Sequence, residues 1–308
     1  MTMTPDDDAD LAALDARIRT MLPEEYQDTY EDMRPVPMRS AALKLDPDGQ
    51  VAWNEMWGSF CDLAMAGGPP HKGTLLGPPP PSAIAAGPGR YDEVRQEICR
   101  GIRVVTSLEA RPSPAPGWVR VACLGEGMAG WLLRAIVMEN VAARADGRTL
   151  DLPAGPEFRL EKEIRNVVTV ASKTCHYWID HMSFGQQRTI TALIATMNAE
   201  SPLVEPPLPY DDASRLPAAA PARLAGEIER RTGLRASDRR DPGWLGLACE
   251  SVRAAVWMMR ALVACNVLSR REGTVLYVPA NGVTDPDGHT VAGAVARVHR
   301  LAAARGIC

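Results

Sequence analysis

The sequence predicts an α/β or α+β protein in which one strand-helix-strand unit occurs twice, the copies related by a pseudo-twofold axis. Three observations predict it. Displaced by 126 residues, Thr106–Ala154 lies on Thr232–Ala280 without a gap, and 20 of the 49 positions are identical, against about 3 expected by chance. Each copy opens with a Pro-Gly turn and a short apolar run, PGWVRVAC at 116–123 and PGWLGLAC at 242–249. Each continues through WLLRAIVMENV at 131–141 or WMMRALVACNV at 257–267 and closes with LDLPA at 150–154 or LYVPA at 276–280. A match of this length marks a duplicated supersecondary unit.

Taken in order, the first 90 residues lie outside the duplication. Asp8–Leu22 is patterned as a short amphipathic helix. Leu43–Leu45 and Val51–Trp53 flank Asp46-Pro-Asp-Gly, a hairpin signal. Asn54–Ala66 reads as a helix, and the prolines Pro78 to Pro81 make Gly77–Gly89 a loop. A helix over Asp92–Val105 leads into the first copy. There Trp118–Cys123 is a strand, Met128–Ala143 a helix apolar on nearly every face, and Thr149–Leu152 a second strand. Arg144-Ala-Asp-Gly supplies a cation and a glycine to end that helix.

Glu157–Met182 follows as a helix whose apolar stripe runs from Leu160 through Ile164, Val167, Val168 and Ala171 to Cys175 and Trp178. Ser201–Ala222 carries six prolines and reads as a linker. The second copy repeats the order: a helix over Arg223–Arg231, a strand over Trp244–Cys249, a helix over Val252–Arg270, a strand over Val275–Pro279 and a helix over Thr290–Ala304. The implied repeat is α-β-α-β-α. A helical crossover makes its two strands parallel and right-handed, and two such halves can assemble a ferredoxin-like sheet. The organisation expected is therefore an N-terminal extension over 1–90, a first module over 91–200, the linker over 201–222 and a second module over 223–308.

Composition narrows the function. The 308 residues carry 34 Lys and Arg against 38 Asp and Glu, a net charge of −4, which gives no basic excess for nucleic acid or an anionic membrane. No apolar run reaches the length of a membrane span. Seven cysteines, an odd number without a C-x-x-C pair, and an N-terminus without a targeting pattern point to the cytoplasm. A homo-oligomer is compatible with the sequence, and no cofactor is assigned.

Several local patterns carry chemistry. Gly67-Gly-Pro-Pro-His-Lys-Gly73 would stiffen a loop that presents His71 and Lys72 to a ligand, against the simpler reading of a helix stop. Gly125-Glu-Gly-Met-Ala-Gly130 matches a dinucleotide fingerprint, but the second copy has Ser251, Arg253 and Val256 there, so nucleotide binding is not favoured. Cys123 and Cys249 stand where a strand meets a helix N-terminus. That place can activate a thiol, although buried cysteines more often simply pack. Cys175-His-Tyr-Trp-Ile-Asp-His181 offers at most two metal ligands on one helix face, so no metal residue is assigned. His176 and Asp180 share a face with Lys162, Asn166, Thr169 and Lys173, read as the solvated side of the helix or else a polar ligand wall.

Arg134 and Arg260, with Asn140 and Asn266, recur in both copies inside apolar helices. A buried guanidinium calls for an anionic partner, internal or bound. The expectation is recognition and conversion of a small carboxylate- or phosphate-bearing metabolite at the junction of the repeats. Arg134 and Arg260 would be the clamps, Asn140 and Asn266 the orienting groups, and His71, Lys72 and Cys123 the catalytic candidates. The alternatives are a non-catalytic assembly protein and a metalloprotein built on His71, His176 and a cysteine.

Overall fold

The computed structural model describes residues 5–28, 30, 43–58, 73–207 and 219–308. The chain divides into two compact units, Asp32–Thr191 and Met1–Glu31 with Ala192–Cys308. Each holds a four-stranded antiparallel sheet and helices, an α+β arrangement.

In the unit of Asp32–Thr191, Leu45 and Val51 form an antiparallel bridge around the Asp46 turn, and Asp46 Oδ1 accepts from the backbone N–H groups of Asp48 and Gln50. After the short helix α2 (Pro81–Ala86), helix α3 (Pro88–Thr106) leads into strands β1 (Ala110–Pro112) and β2 (Trp118–Ala122). Helix α4 (Glu126–Met138) crosses to strands β3 (Arg144–Asp146) and β4 (Thr149–Pro153). Helix α5 (Arg165–His176) follows, between π-helical turns at Leu160–Ile164 and Tyr177–His181. The strand order is β1-β2-β4-β3. Val119, Val121, Leu150 and Leu152 project to one face and are almost wholly buried. Helix α4 packs on β3 and β4, and α5 packs on both α3 and α4.

The other unit repeats this order. Helix α7 (Ala219–Thr232) precedes β5 (Ala236–Asp241) and β6 (Trp244–Ala248), and α8 (Val252–Ala264) crosses to β7 (Arg270–Glu272), β8 (Val275–Pro279) and helix α9 (His289–Ala304). The sheet order is β5-β6-β8-β7. Trp118 pairs with Pro153 as Trp244 pairs with Pro279, and Ala122 with Thr149 as Ala248 with Val275. Helix α1 (Pro5–Thr20) packs on α8 and ties to α9 through Asp7–Arg300, Asp10–Arg297 and Asp15–Arg305. Asp7, Asp10 and Asp15 are thus paired with cations of their own unit, while Asp6 and Asp8 are exposed. Helix α6 (Phe184–Glu200) contains the division between the units.

The expected parallel pairing is corrected. The helices end sooner than their apolar patterns do, at Met138 and Ala264, because Asn140 and Asn266 take the left-handed conformation at φ 60° and 61°. Arg144–Asp146 and Arg270–Glu272 are therefore strands rather than helix ends. Each turns through a tight hairpin at Gly147 or Gly273 and places the next strand antiparallel beside β2 or β6. The crossover does join parallel strands, β2 to β3, but β4 lies between them. Neither sheet consists of β-α-β halves with neighbouring parallel strands.

The proline-rich stretches are docked where the structure describes them. Leu76 bridges Val141 and Val204 bridges Val267, each in parallel: the Leu76 and Val204 N–H groups donate to Asn140 O and Asn266 O, and their carbonyls accept from Ala142 and Leu268. A proline stands two residues on in both cases, Pro78 and Pro206. A Cβ on Gly117 would lie 3.2 Å from Pro78, and one on Gly243 2.9 Å from Pro207, so glycine permits both close approaches.

Candidate functional site

A row of charges crosses the polar face of the first sheet. Strand register sets Arg120 of β2 opposite Asp151 of β4, and Asp151 opposite Arg144 of β3. Arg120 grips the carboxylate with two groups, Nε to Oδ1 at 2.7 Å and Nη2 to Oδ2 at 2.9 Å. Arg144 reaches Oδ2 at 3.0 Å through Nε and 2.9 Å through Nη2, and Ser113 Oγ donates to the same oxygen. Burial alone would raise the Asp151 pKa. The hydrogen bonds from Arg120 and Arg144 outweigh it and hold the carboxyl below its ordinary value.

Asp151 is 2% exposed, but both guanidinium groups reach the surface, at 22% for Arg120 and 25% for Arg144. They line a cavity of about 300 Å³ with Ala145, Asp146, Thr149 and Asp151. Neither Nη1 has a hydrogen-bond partner among the described residues. Arg144 also lies 4.8 Å over the Trp118 ring, which fixes the plane of its guanidinium. The arrangement presents two oriented cations around the buried carboxylate of Asp151, with the exposed carboxylate of Asp146 also on the cavity wall.

The corresponding row of the second sheet is closed. Arg270 stands for Arg144 and also lies over a tryptophan, Trp244, at 5.1 Å. Gly246 and Tyr277 stand for Arg120 and Asp151, and the Tyr277 ring is 3.9 Å from Arg270. Arg270 is fully buried and paired with Asp241 and with Glu272 Oε1, the latter at 2.6 Å. Its charge is answered within the chain.

His71 and Lys72 lie outside the described residues. Cys123 and Cys249 are buried at the ends of β2 and β6, and burial pushes both thiols up to about 12. Thiolate is scarce there near neutral pH. Arg134 and Arg260 belong to different units. Arg134 Nη1 donates to Gly130 O at 2.8 Å, and Arg260 Nη1 to Tyr30 O at 2.6 Å. Asn140 and Asn266 are the buried left-handed residues that end α4 and α8; Asn266 Nδ2 also donates to Asn198 Oδ1 and Ser201 O. Gly127 is needed for packing, since a Cβ there would overlap Thr191 of α6.

The polar face that the sequence pattern favours as solvated is exposed at its ends, at Lys162 and Asp180, but buried through the middle of α5. Asn166, Thr169 and Lys173 are buried, and Lys173 Nζ pairs with Glu139 Oε1 at 2.9 Å, with both side chains at most 5% exposed. At the end of this face His176 Nδ1 meets Asp180 Oδ2 at 2.6 Å, and His176 Nε2 meets His181 Nε2 at 3.0 Å. Among the described residues no group of three or more His, Cys, Asp or Glu side chains is placed to hold a metal ion, and no helix is long and apolar enough to cross a membrane.

No family model, curated protein or solved structure matches this chain. The geometry must therefore carry the functional reading. Of the residues it brings forward, Arg120 and Asp151 were visible as single charges at the centre of apolar strand segments, while Arg144 read as a cation at a helix end. Only antiparallel register reveals that they are neighbours.

Proposed function

We propose that the chain binds a small carboxylate- or phosphate-bearing molecule in the cavity on the first sheet, with Arg120 and Arg144 as the anion clamps. One observation carries the reading: two guanidinium groups share a single buried carboxylate and both line a cavity of about 300 Å³. Guanidinium donors in a fixed plane suit the paired oxygens of either anion. The cavity lies at the small end of ligand sites, which suits a metabolite of few atoms. The arginines hold the Asp151 carboxyl below its ordinary value, and it keeps both cations in place at the cavity wall. We further infer that the two units arose by duplication. Support comes from the constant offset of 126 that relates β2·β4 to β6·β8, residue by residue. In that history the second copy closed its site with Tyr277, Asp241 and Glu272.

Calorimetric titration with inorganic phosphate and with succinate tests the proposal on the full chain. Saturable binding by either, weakened about tenfold or more in Arg120→Gln and in Arg144→Gln, is the expected result. Binding that survives both changes but fails in Arg134→Met or Arg260→Met moves the site to those helices. Absence of binding by either probe removes the reading.

A further inference from the structure

We propose that His176 and His181 form a site for a divalent transition-metal ion that prefers square-planar or tetragonal nitrogen ligands, copper(II) or nickel(II). Residues five apart on an α-helix point about 140° away from each other. The chain leaves α5 through a π-helical turn at Tyr177–His181, whose i→i+5 repeat brings His181 beneath His176. His176 and His181 consequently face one another at an interplanar angle of 79°, their Nε2 atoms 3.0 Å apart.

That separation selects a coordination geometry. With metal–nitrogen bonds of about 2.0 Å, neighbouring ligands of a tetragonal ion stand about 2.9 Å apart and those of a tetrahedral ion about 3.3 Å. The pair fits the first. Imidazole nitrogen suits copper and nickel, and copper binds the tighter of the two. Asp180 supplies the orienting carboxylate. It accepts from His176 Nδ1, which places the ring proton there and turns the Nε2 lone pair toward His181. On binding, the His181 proton moves from Nε2 to Nδ1, and both Nε2 lone pairs turn toward a metal that stands beside the line joining them, about 2.0 Å from each. The Trp57 ring against His176 and the Tyr177 ring against His181 hold the imidazoles from the sides. His176 is 21% exposed, so water can fill the remaining ligand positions.

The test is titration of copper(II) into the full chain carrying no histidine tag, followed by calorimetry and electron paramagnetic resonance. One saturable equivalent with nitrogen hyperfine structure from two imidazoles is expected. Asp180→Asn should weaken the affinity about 10–100-fold while keeping the two-imidazole spectrum. His181→Gln should lose that spectrum with its thermal melt unchanged, and Arg120→Gln should leave copper binding as it was. A wild-type spectrum persisting in the His176→Gln/His181→Gln double variant overturns the proposal, as does the lack of saturable binding. If either glutamine variant fails to fold, Asp180→Asn decides, because it alters an exposed carboxylate; an affinity unchanged there also overturns the assignment.

Discussion

The ring of Tyr277 covers Gly246 on the polar face of the second sheet, with Cε1 3.2 Å from where a Cβ would stand. In the first sheet the same two register positions hold Asp151 and Arg120, joined at 2.7 Å. A bidentate ion pair and a glycine-aromatic pair therefore occupy one structural slot, and neither partner can change alone. Gly246→Ala would bring a Cβ within 3.0 Å of Val275 as well. It should cost about 1–3 kcal/mol by overpacking, read as a lower denaturant midpoint at unchanged slope. Combined with Tyr277→Ala the losses should be less than additive, because the two positions share a contact.

Asn140 and Asn266 test whether the recurrent asparagines serve the fold. Their positive φ angles cost a residue with an ordinary Cβ about 1–2 kcal/mol. Asn140→Ala and Asn266→Ala should each lose about that much in chemical denaturation. Asn266→Gly relieves the backbone but forfeits the bonds to Asn198 and Ser201, so it should still lose about 1 kcal/mol. Phosphate or succinate affinity unchanged in Asn140→Gly would mark the residue as a helix terminator. A weakened affinity at unchanged stability would return it to the ligand.

The strand cores and the crossover helices were legible because burial writes itself into apolar runs. Trp118–Ala122 and Trp244–Ala248 differ from the sequence expectation by one residue each. The edge strands were not legible. Arg144–Asp146 and Arg270–Glu272 are three residues long and mostly charged, and cations at that place equally suit a helix end. Missing β3 removed the hairpin, and with it the antiparallel register that makes Arg120, Asp151 and Arg144 neighbours. The docked prolines escaped for a different reason: Leu76 and Val204 are 128 residues apart, so an offset of 126 passes over them. The histidine pair depends on a π-helical turn, which shifts the helical period inside a segment that otherwise reads as one helix.

Acid should expose the role of Asp151. A carboxyl whose folded pKa lies below its unfolded value contributes stability that is complete above the unfolded value. That contribution is lost as the pH falls through the folded one. Asp151 is lowered in this way. Stability should thus change little through Asp151 between neutrality and about pH 5, and decline below about pH 4. Asp151→Asn should lose about 1–3 kcal/mol at pH 7, less than a fully buried pair because both arginines reach solvent. Its stability should then fall less steeply with acid than that of the wild type. Equal acid slopes in the two proteins would show that other carboxylates govern the transition.

The Lys173–Glu139 pair should respond to acid with the opposite sign once it is broken. Lys173 projects from α5 to Glu139 at the end of α4, and both side chains are removed from solvent. Lys173→Met keeps most of the apolar volume but takes the ammonium from a buried carboxylate, which should cost about 3–5 kcal/mol at pH 8. A buried carboxylate deprived of its cation takes up a proton more readily. The deficit should therefore shrink as the pH is lowered from 8 to 5, while the wild type shows no such gain. Lys173→Met combined with Glu139→Leu should recover much of the loss, since two apolar groups then replace the pair. If the double variant is as unstable as the single one, the pair fixes how α4 and α5 pack, and its value to the fold lies in geometry rather than in charge neutralisation. Denaturant midpoints of the three variants at pH 8 and pH 5 separate the two outcomes.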